Sequence, residues 1–260
     1  MKLKWYGTAT ILLEHAGTKL LFDPFLPLSE NVFKPTIDQF SAADNILVTH
    51  GHLDHIAHIP AILRQGDGAA TVFCTAKPRE TLISKHVDAA QIHMIAPGDV
   101  LKFGPFEVRV LKGKHIVFDI WLIIKKLLNP RLITNRRNVR YLFEENKKCV
   151  EAGETVIFDI AVPDKRILVM GSLNLDRNTV YPKDADLLVL PLQGRSGIGK
   201  YAMRVIDRLQ PKKVLLDHFD NSFPPISSPV DTGKFVALMR KKYPGVPVIC
   251  PQPSDRWIAF

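Results

Sequence analysis

Thr49-His50-Gly51-His52-Leu53-Asp54-His55 decides how the rest of this chain is read. It follows the apolar run Ile46-Leu47-Val48, which reads as a short buried strand delivering His50 at its C-terminal end. Where the chain is extended, His50 and His52 project to the same side and can share one metal ion. Asp54 and His55 follow across a tight loop and can face a second. Imidazole and carboxylate groups suit Zn²⁺, Mn²⁺ or Fe²⁺, and three such ligands with an open position form the catalytic arrangement. The bland alternative is a solvated polar loop. Three histidines and an aspartate within six residues, placed after a strand where α/β proteins build their sites, favour the metal.

Around this segment the chain alternates strand and helix signals. Residues 3–13 and 18–22 are apolar and strand-like, separated by the turn His15-Ala16-Gly17-Thr18, and Asp23-Pro24-Phe25 ends the second run. Strands are expected again at Thr71–Cys74, Phe106–Leu111, Thr155–Val162, Arg166–Met170, Asp186–Leu190, Lys213–Leu216 and Val246–Ile249. Helical patterns cover Ile56–Leu63 despite Pro60, Pro78–Val87, Tyr201–Leu209 and Thr232–Tyr243. The mixture predicts two sheets with helices outside. The 260 residues show no solenoid-length repeat and no low-complexity linker, so a single domain over 1–260 is expected.

The motif His50-Gly51-His52-Leu53-Asp54-His55 is the HxHxDH signature of the metallo-β-lactamase superfamily, which the chain resembles over nearly its whole length. Leu21-Phe22-Asp23-Pro24 and Pro211–His218 resemble the ascorbate-6-phosphate lactonase-like branch, which also includes phospholipid-cleaving phosphodiesterases. The resemblance implies a four-layer αββα sandwich and a hydrolase holding one or two divalent ions: zinc first, with manganese or iron as alternatives. It implies His50, His52 and His115 around one metal, and Asp54, His55 and His218 around the other. Asp54 would also orient and partly deprotonate the attacking water.

The chain departs from the family pattern at Gly171-Ser172-Leu173-Asn174, where relatives carry Gly-Asp and the aspartate bridges the metals. With Ser172 there, the second ion is expected to bind more weakly, to be absent, or to need a substrate oxygen, unless Asn174 or Asp176 substitutes. Losing that carboxylate leaves the site one charge more positive. A small anionic substrate such as a phosphodiester or phosphorylated lactone is therefore expected, cleaved at an ester-type bond.

The net charge of +9 is concentrated in one segment, since Lys112–Lys148 holds ten basic residues against Asp119, Glu144 and Glu145. This lies in a helical insertion at about 116–151, where Val117, Ile120, Trp121, Ile124 and Leu128 recur at helical spacing. Asn129-Pro130 stops the run, and Arg131, Arg136, Arg137 and Arg140 follow. The arginines are expected either to face the pocket and pair with phosphate, or to form a solvated face. Residues 116–140 also offer a lipid or membrane-surface contact, or a homo-oligomer contact. Nucleic acid is not expected, because the long extra domain of RNA-cutting relatives has no room in 260 residues.

The main alternative to a hydrolase is a membrane- or nucleic-acid-associated binding protein, or a pseudoenzyme with an impaired second metal site. Gly194-Arg195-Ser196-Gly197-Ile198-Gly199-Lys200 matches a phosphate-binding GxxxxGK loop, but Tyr201 replaces the Ser or Thr that would hold Mg²⁺. A glycine turn at the site's rim is the preferred reading. Cys74, Cys149 and Cys250 lack metal or disulfide spacing and are read as buried free thiols. With no secretory leader pattern and no ~20-residue apolar run, a cytoplasmic protein is expected.

Overall fold

In the computed structural model, all residues are described except Asn31, Asp67 and 120–127. A six-stranded sheet contains β1 (Lys2–Gly7), β2 (Thr10–His15), β3 (Thr18–Phe22), β4 (Asn45–Leu47), β5 (Thr71–Cys74) and β6 (Ile92–Met94) in sequence order. A seven-stranded sheet contains β7 (Val100–Phe103), β8 (Phe106–Lys112), β9 (Val156–Val162), β10 (Lys165–Met170), β11 (Leu187–Pro191), β12 (Val214–Asp217) and β13 (Val248–Ile249), also in order. Each sheet begins as an antiparallel meander and ends with parallel strands.

Three apolar layers show why the strands read as continuous hydrophobic runs. Leu20, Phe22 and Leu47 pack against Phe158, Ile167, Val169, Leu187, Val189 and Leu215 between the sheets. Their neighbours Leu21, Ile46 and Val48 point outward to Phe40, Leu53, Ile56, Ile59 and Ile62. Leu168, Met170, Leu188, Leu190 and Leu216 do the same against Ile198, Ala202, Ile206, Leu209 and Phe235. Strand side chains alternate with period two, so covering both faces of a sheet requires apolar residues at every position. The result is the expected αββα sandwich.

Several boundaries differ from the sequence reading. Residues 3–13 form two strands, because Gly7 and Thr8 take positive φ and turn the chain. The predicted helix over Ile56–Leu63 is two: α1 (Ile37–Ser41) precedes α2 (Leu53–Ile56) and α3 (Ile59–Gln65), with Pro60 in the first turn of α3. Proline is tolerated there because a first-turn N–H has no intrahelical partner. β6 and β7 were not anticipated; much of Ile92–Met94 and Val100–Phe103 is exposed, so neither carries a fully buried pattern.

The insertion lies between β8 and β9 and includes α5 (Arg131–Thr134) and α6 (Arg136–Asn146), after α4 (Ala76–Ser84). The helical pattern assigned to Ile120, Trp121 and Ile124 lies outside the described residues. Leu142 and Cys149 join the outer apolar layer of the first sheet, anchoring the insertion. Thr81 Oγ1 donates to Lys148 O at 3.0 Å, and Lys85 pairs with Glu145. Cys74 and Cys149 are buried free thiols, but Cys250 is exposed, just beyond edge strand β13.

Candidate metal centre

The site forms at one end of the sandwich, beyond the C-terminal ends of strands from both sheets. β3 leads to Asp23, β4 to Thr49 and His50, β8 to His115, β10 to Ser172, β11 to Gln193 and β12 to His218. Val156 N donates to Thr49 O at 2.9 Å and ties the two sheets together there. His52 is the N-cap of α2 in an extended conformation, and Asp54 and His55 occupy its first turn. The motif therefore runs from strand end into helix rather than through one extended segment.

His50, His52 and His115 form one group and Asp54, His55 and His218 a second, with the ligating atoms in each group within 4.8 Å of one another. The rings of the first group lie 4.8, 5.0 and 4.6 Å apart between centroids, and His50 is 3.9 Å from His55. Both groups line one cavity of about 400 Å³. Six sequence-predicted ligands thus converge from segments as far apart as residues 50 and 218.

The surrounding hydrogen bonds test whether these residues suit a cation. Asp23 is 1% exposed and accepts from Thr49 N at 2.8 Å and Thr49 Oγ1 at 2.7 Å. Its Oδ2 also lies 2.9 Å from His55 Nδ1. Since the Thr49 hydroxyl proton is directed to Asp23, its oxygen can accept from His50 Nδ1, 3.0 Å away. His115 Nδ1 lies 2.8 Å from Ile116 O, which can only accept. These assignments leave Nε2 of His50, His55 and His115 as lone pairs available to metal, the orientation that outer-sphere acceptors impose on metal-binding histidines.

Electrostatics favour neutral imidazoles in the first group. Burial holds His50 far below the ordinary histidine range, with His55, His52 and His115 adding to the effect. His52 is pulled down to about 4 by burial, despite the opposing Asp54 charge. Burial also lowers His115, outweighing its bond to Ile116 O. In the second group, burial works against Asp54's negative charge, but His55 and the hydrogen bond from His218 keep its carboxyl well below the usual range. His218 Nε2 donates to Asp54 Oδ2 at 3.0 Å; burial opposes its charge, yet Asp54, Asp217 and Asp220 lift it to about 9. The neutral imidazoles of His50, His52 and His115 fit a divalent ion, and in the second group an ion would take the place of the proton that His218 shares with ionised Asp54.

Ser172 is buried, lines the cavity and accepts from Ile116 N at 3.0 Å. Neither proposed substitute lines the cavity: Asn174 Nδ2 donates to the backbone oxygen of His115 at 3.1 Å, while Asp176 accepts from Asn178 N and Thr179 Oγ1. Two motif glycines are required by close approach. A Cβ at Gly171 would fall 1.9 Å from Thr49 Oγ1, and one at Gly51 would fall 2.3 Å from Val150 O.

Of the two expected placements of the insertion arginines, the structure shows the solvated face and not the inward-facing one. Arg131, Arg136, Arg137 and Arg140 are exposed, and none lines the cavity. Among the described residues, the arginine lining the cavity is Arg195, from the glycine-rich loop before α7 (Ile198–Leu209). Its Nη1 donates to Val117 O at 2.6 Å, and Ser196 Oγ donates to Asp119 at 2.8 Å. The glycine loop is therefore a rim clasping the insertion's first residues. Asp23, Thr49, Arg195 and Gln193 were not singled out from sequence as functional; the usable signal was an aspartate directly ending a buried strand.

Comparison with known proteins agrees with this geometry. Residues 2–218 match the family model described as beta-lactamase superfamily domain. A UPF0173 metal-dependent hydrolase from Azorhizobium caulinodans is 31% identical over 192 residues, covering 73% of this chain and 79% of that protein. Another, from Carboxydothermus hydrogenoformans, is 28% identical over 237 residues and covers 90% of each chain. The fold is shared with Igni18, a metallo hydrolase from Ignicoccus hospitalis, at a TM-score of 0.65 and 18% identity, covering 100% of this chain and 98% of that one. With its sandwich fold, its two convergent ligand groups and a family match extending to His218, the chain belongs to the metallo-β-lactamase superfamily.

Proposed function

We propose that this protein is a metal-dependent hydrolase that cleaves an ester-type bond of a small anionic substrate. The observation carrying the reading is the convergence of His50, His52 and His115 with Asp54, His55 and His218 on one cavity. One or two divalent ions, zinc in the first place, would be held by these residues and would supply Lewis acidity and a lowered pKa for water.

Asp54 is the single carboxylate among the described cavity-lining residues. Held ionised by His55 and His218, it serves both as ligand and as acceptor for a proton from the attacking water. His218 Nε2 lies 3.0 Å from Asp54 Oδ2, which sets the two ligand atoms side by side. Arg195 and the bound ions would make the cavity receptive to negative charge, with Asp54 as the opposing carboxylate among the described lining residues. Ile116, Phe118, Leu173, Phe223 and Ile226 line the remaining wall and exclude water from an apolar portion of the substrate.

Metal analysis combined with turnover of phosphodiesters, phosphomonoesters and lactones tests the proposal. Chelation and His52→Ala should each abolish turnover, and metal should restore the chelated protein. Activity indifferent to both treatments refutes the hydrolase assignment.

A further inference from the structure

The inward face of α6 is accounted for by the fold. Leu142 is buried in the outer apolar layer, Asn138 Nδ2 donates to Pro224 O at 3.1 Å, and Glu145 pairs with Lys85 and Lys148. The outward face is different. Arg136, Arg140, Phe143 and Lys147 follow one another at helical spacing, and all are exposed. Phe143 is 64% exposed, with Lys147 Nζ 4.3 Å from its ring centroid.

Two further apolar side chains stand in water on the same insertion: Ile133 at 80% and Leu128 at 76% exposure. Around them, Arg131, Arg136, Arg137 and Lys147 make no ion pair among the described residues, whereas Arg140 holds Glu144 at 2.9 Å. This surface therefore combines unpaired cations with large apolar groups that the fold leaves uncovered.

We propose that the outward side of α5 and α6, with Leu128, is a docking surface for an anionic lipid bilayer. Charge complementarity identifies the lipid as anionic, and the exposed apolar groups identify a surface with hydrocarbon beneath it. Phosphates of a nucleic acid would satisfy the arginines but offer nothing to Leu128 and Ile133. The interfacial region of a bilayer accepts both kinds of group. The arrangement also places the surface near the cavity: Asn146 at the end of α6 lines it, and Asn138 binds the segment that contributes Phe223 and Ile226. The inference does not depend on the hydrolase assignment.

The test is sedimentation of the full chain with vesicles of phosphatidylcholine alone or mixed with phosphatidylserine, across a salt series. Binding is expected only to the mixed vesicles and should fall as salt rises. Arg136→Gln and Arg137→Gln should each weaken it roughly fivefold. Phe143→Ser should weaken it without altering the salt slope, which separates apolar insertion from charge attraction alone. Failure to bind mixed vesicles at low salt overturns the proposal, even if a variant proves unstable. So does equal binding to both vesicle types.

Discussion

Replacing Asp23 with Asn is a stringent perturbation because it preserves shape while removing charge and acceptors. Thr49 N, Thr49 Oγ1 and His55 Nδ1 lie 2.8, 2.7 and 2.9 Å from the Asp23 carboxylate, which can accept from all three. An amide offers one acceptor oxygen and a donor group. If its oxygen faces Thr49 N, its NH₂ faces Thr49 Oγ1 and His55 Nδ1, forcing His55 into the opposite tautomer and placing a proton on the nitrogen needed for metal. If the amide is reversed, its NH₂ confronts the buried Thr49 N–H. Leaving that donor unsatisfied costs about 1–3 kcal/mol.

Loss of an outer-sphere partner typically weakens metal binding by about 10–100-fold. Asp23→Asn should therefore weaken binding at the His55 group by roughly that factor, about 1.4–2.7 kcal/mol. Competition with a chromophoric chelator measures the affinity, and thermal unfolding of the metal-free variant measures the stability loss. Retention of wild-type affinity at both sites would refute the assignment of Asp23 as the group that orients His55.

Ser172→Asp should bind the second ion more tightly, because one carboxylate oxygen can retain the Ile116 N–H while the other faces the cavity; unchanged stoichiometry and affinity would contradict the missing-bridge argument. His58 should make the fold sensitive to mild acid. Burial, reinforced by Lys85, lowers its pKa to about 4, and its Nδ1 accepts from Leu26 N at 3.1 Å. Because the folded-state pKa is depressed, the stabilising contribution is fully present above the unfolded value of about 6.5 and is lost as pH falls through about 4. In His58→Asn, whose amide oxygen can replace the Nδ1 acceptor, equilibrium unfolding should lose that acid dependence; an unchanged pH profile would assign it to other groups.

The sequence by itself determined the fold class and all six candidate ligands. The HxHxDH segment is local, and strands sandwiched between layers must be apolar at successive positions, so both signals survive in a linear reading. His115 and His218 were accessible through the resemblance to the superfamily, whose pattern they match at the ends of two strands. Edge strands β6 and β7 escaped notice because partial exposure removes the full apolar pattern. The Thr8 turn was missed because its positive φ belongs to a residue that does not usually mark such a conformation.

Tertiary structure decided how the ligands are oriented and which charges enter the cavity. Asp23 and His55 meet because parallel pairing of β3 with β4 brings their C-terminal ends together. Arg195 reaches the rim because the β11 to α7 connection packs against the insertion, while Leu142 buries the opposite face of α6 and leaves its arginines outside. Residue type and periodicity record what one segment must bury. Which distant carboxylate fixes a histidine, and which arginine faces a pocket, depends on the packing of whole layers against one another.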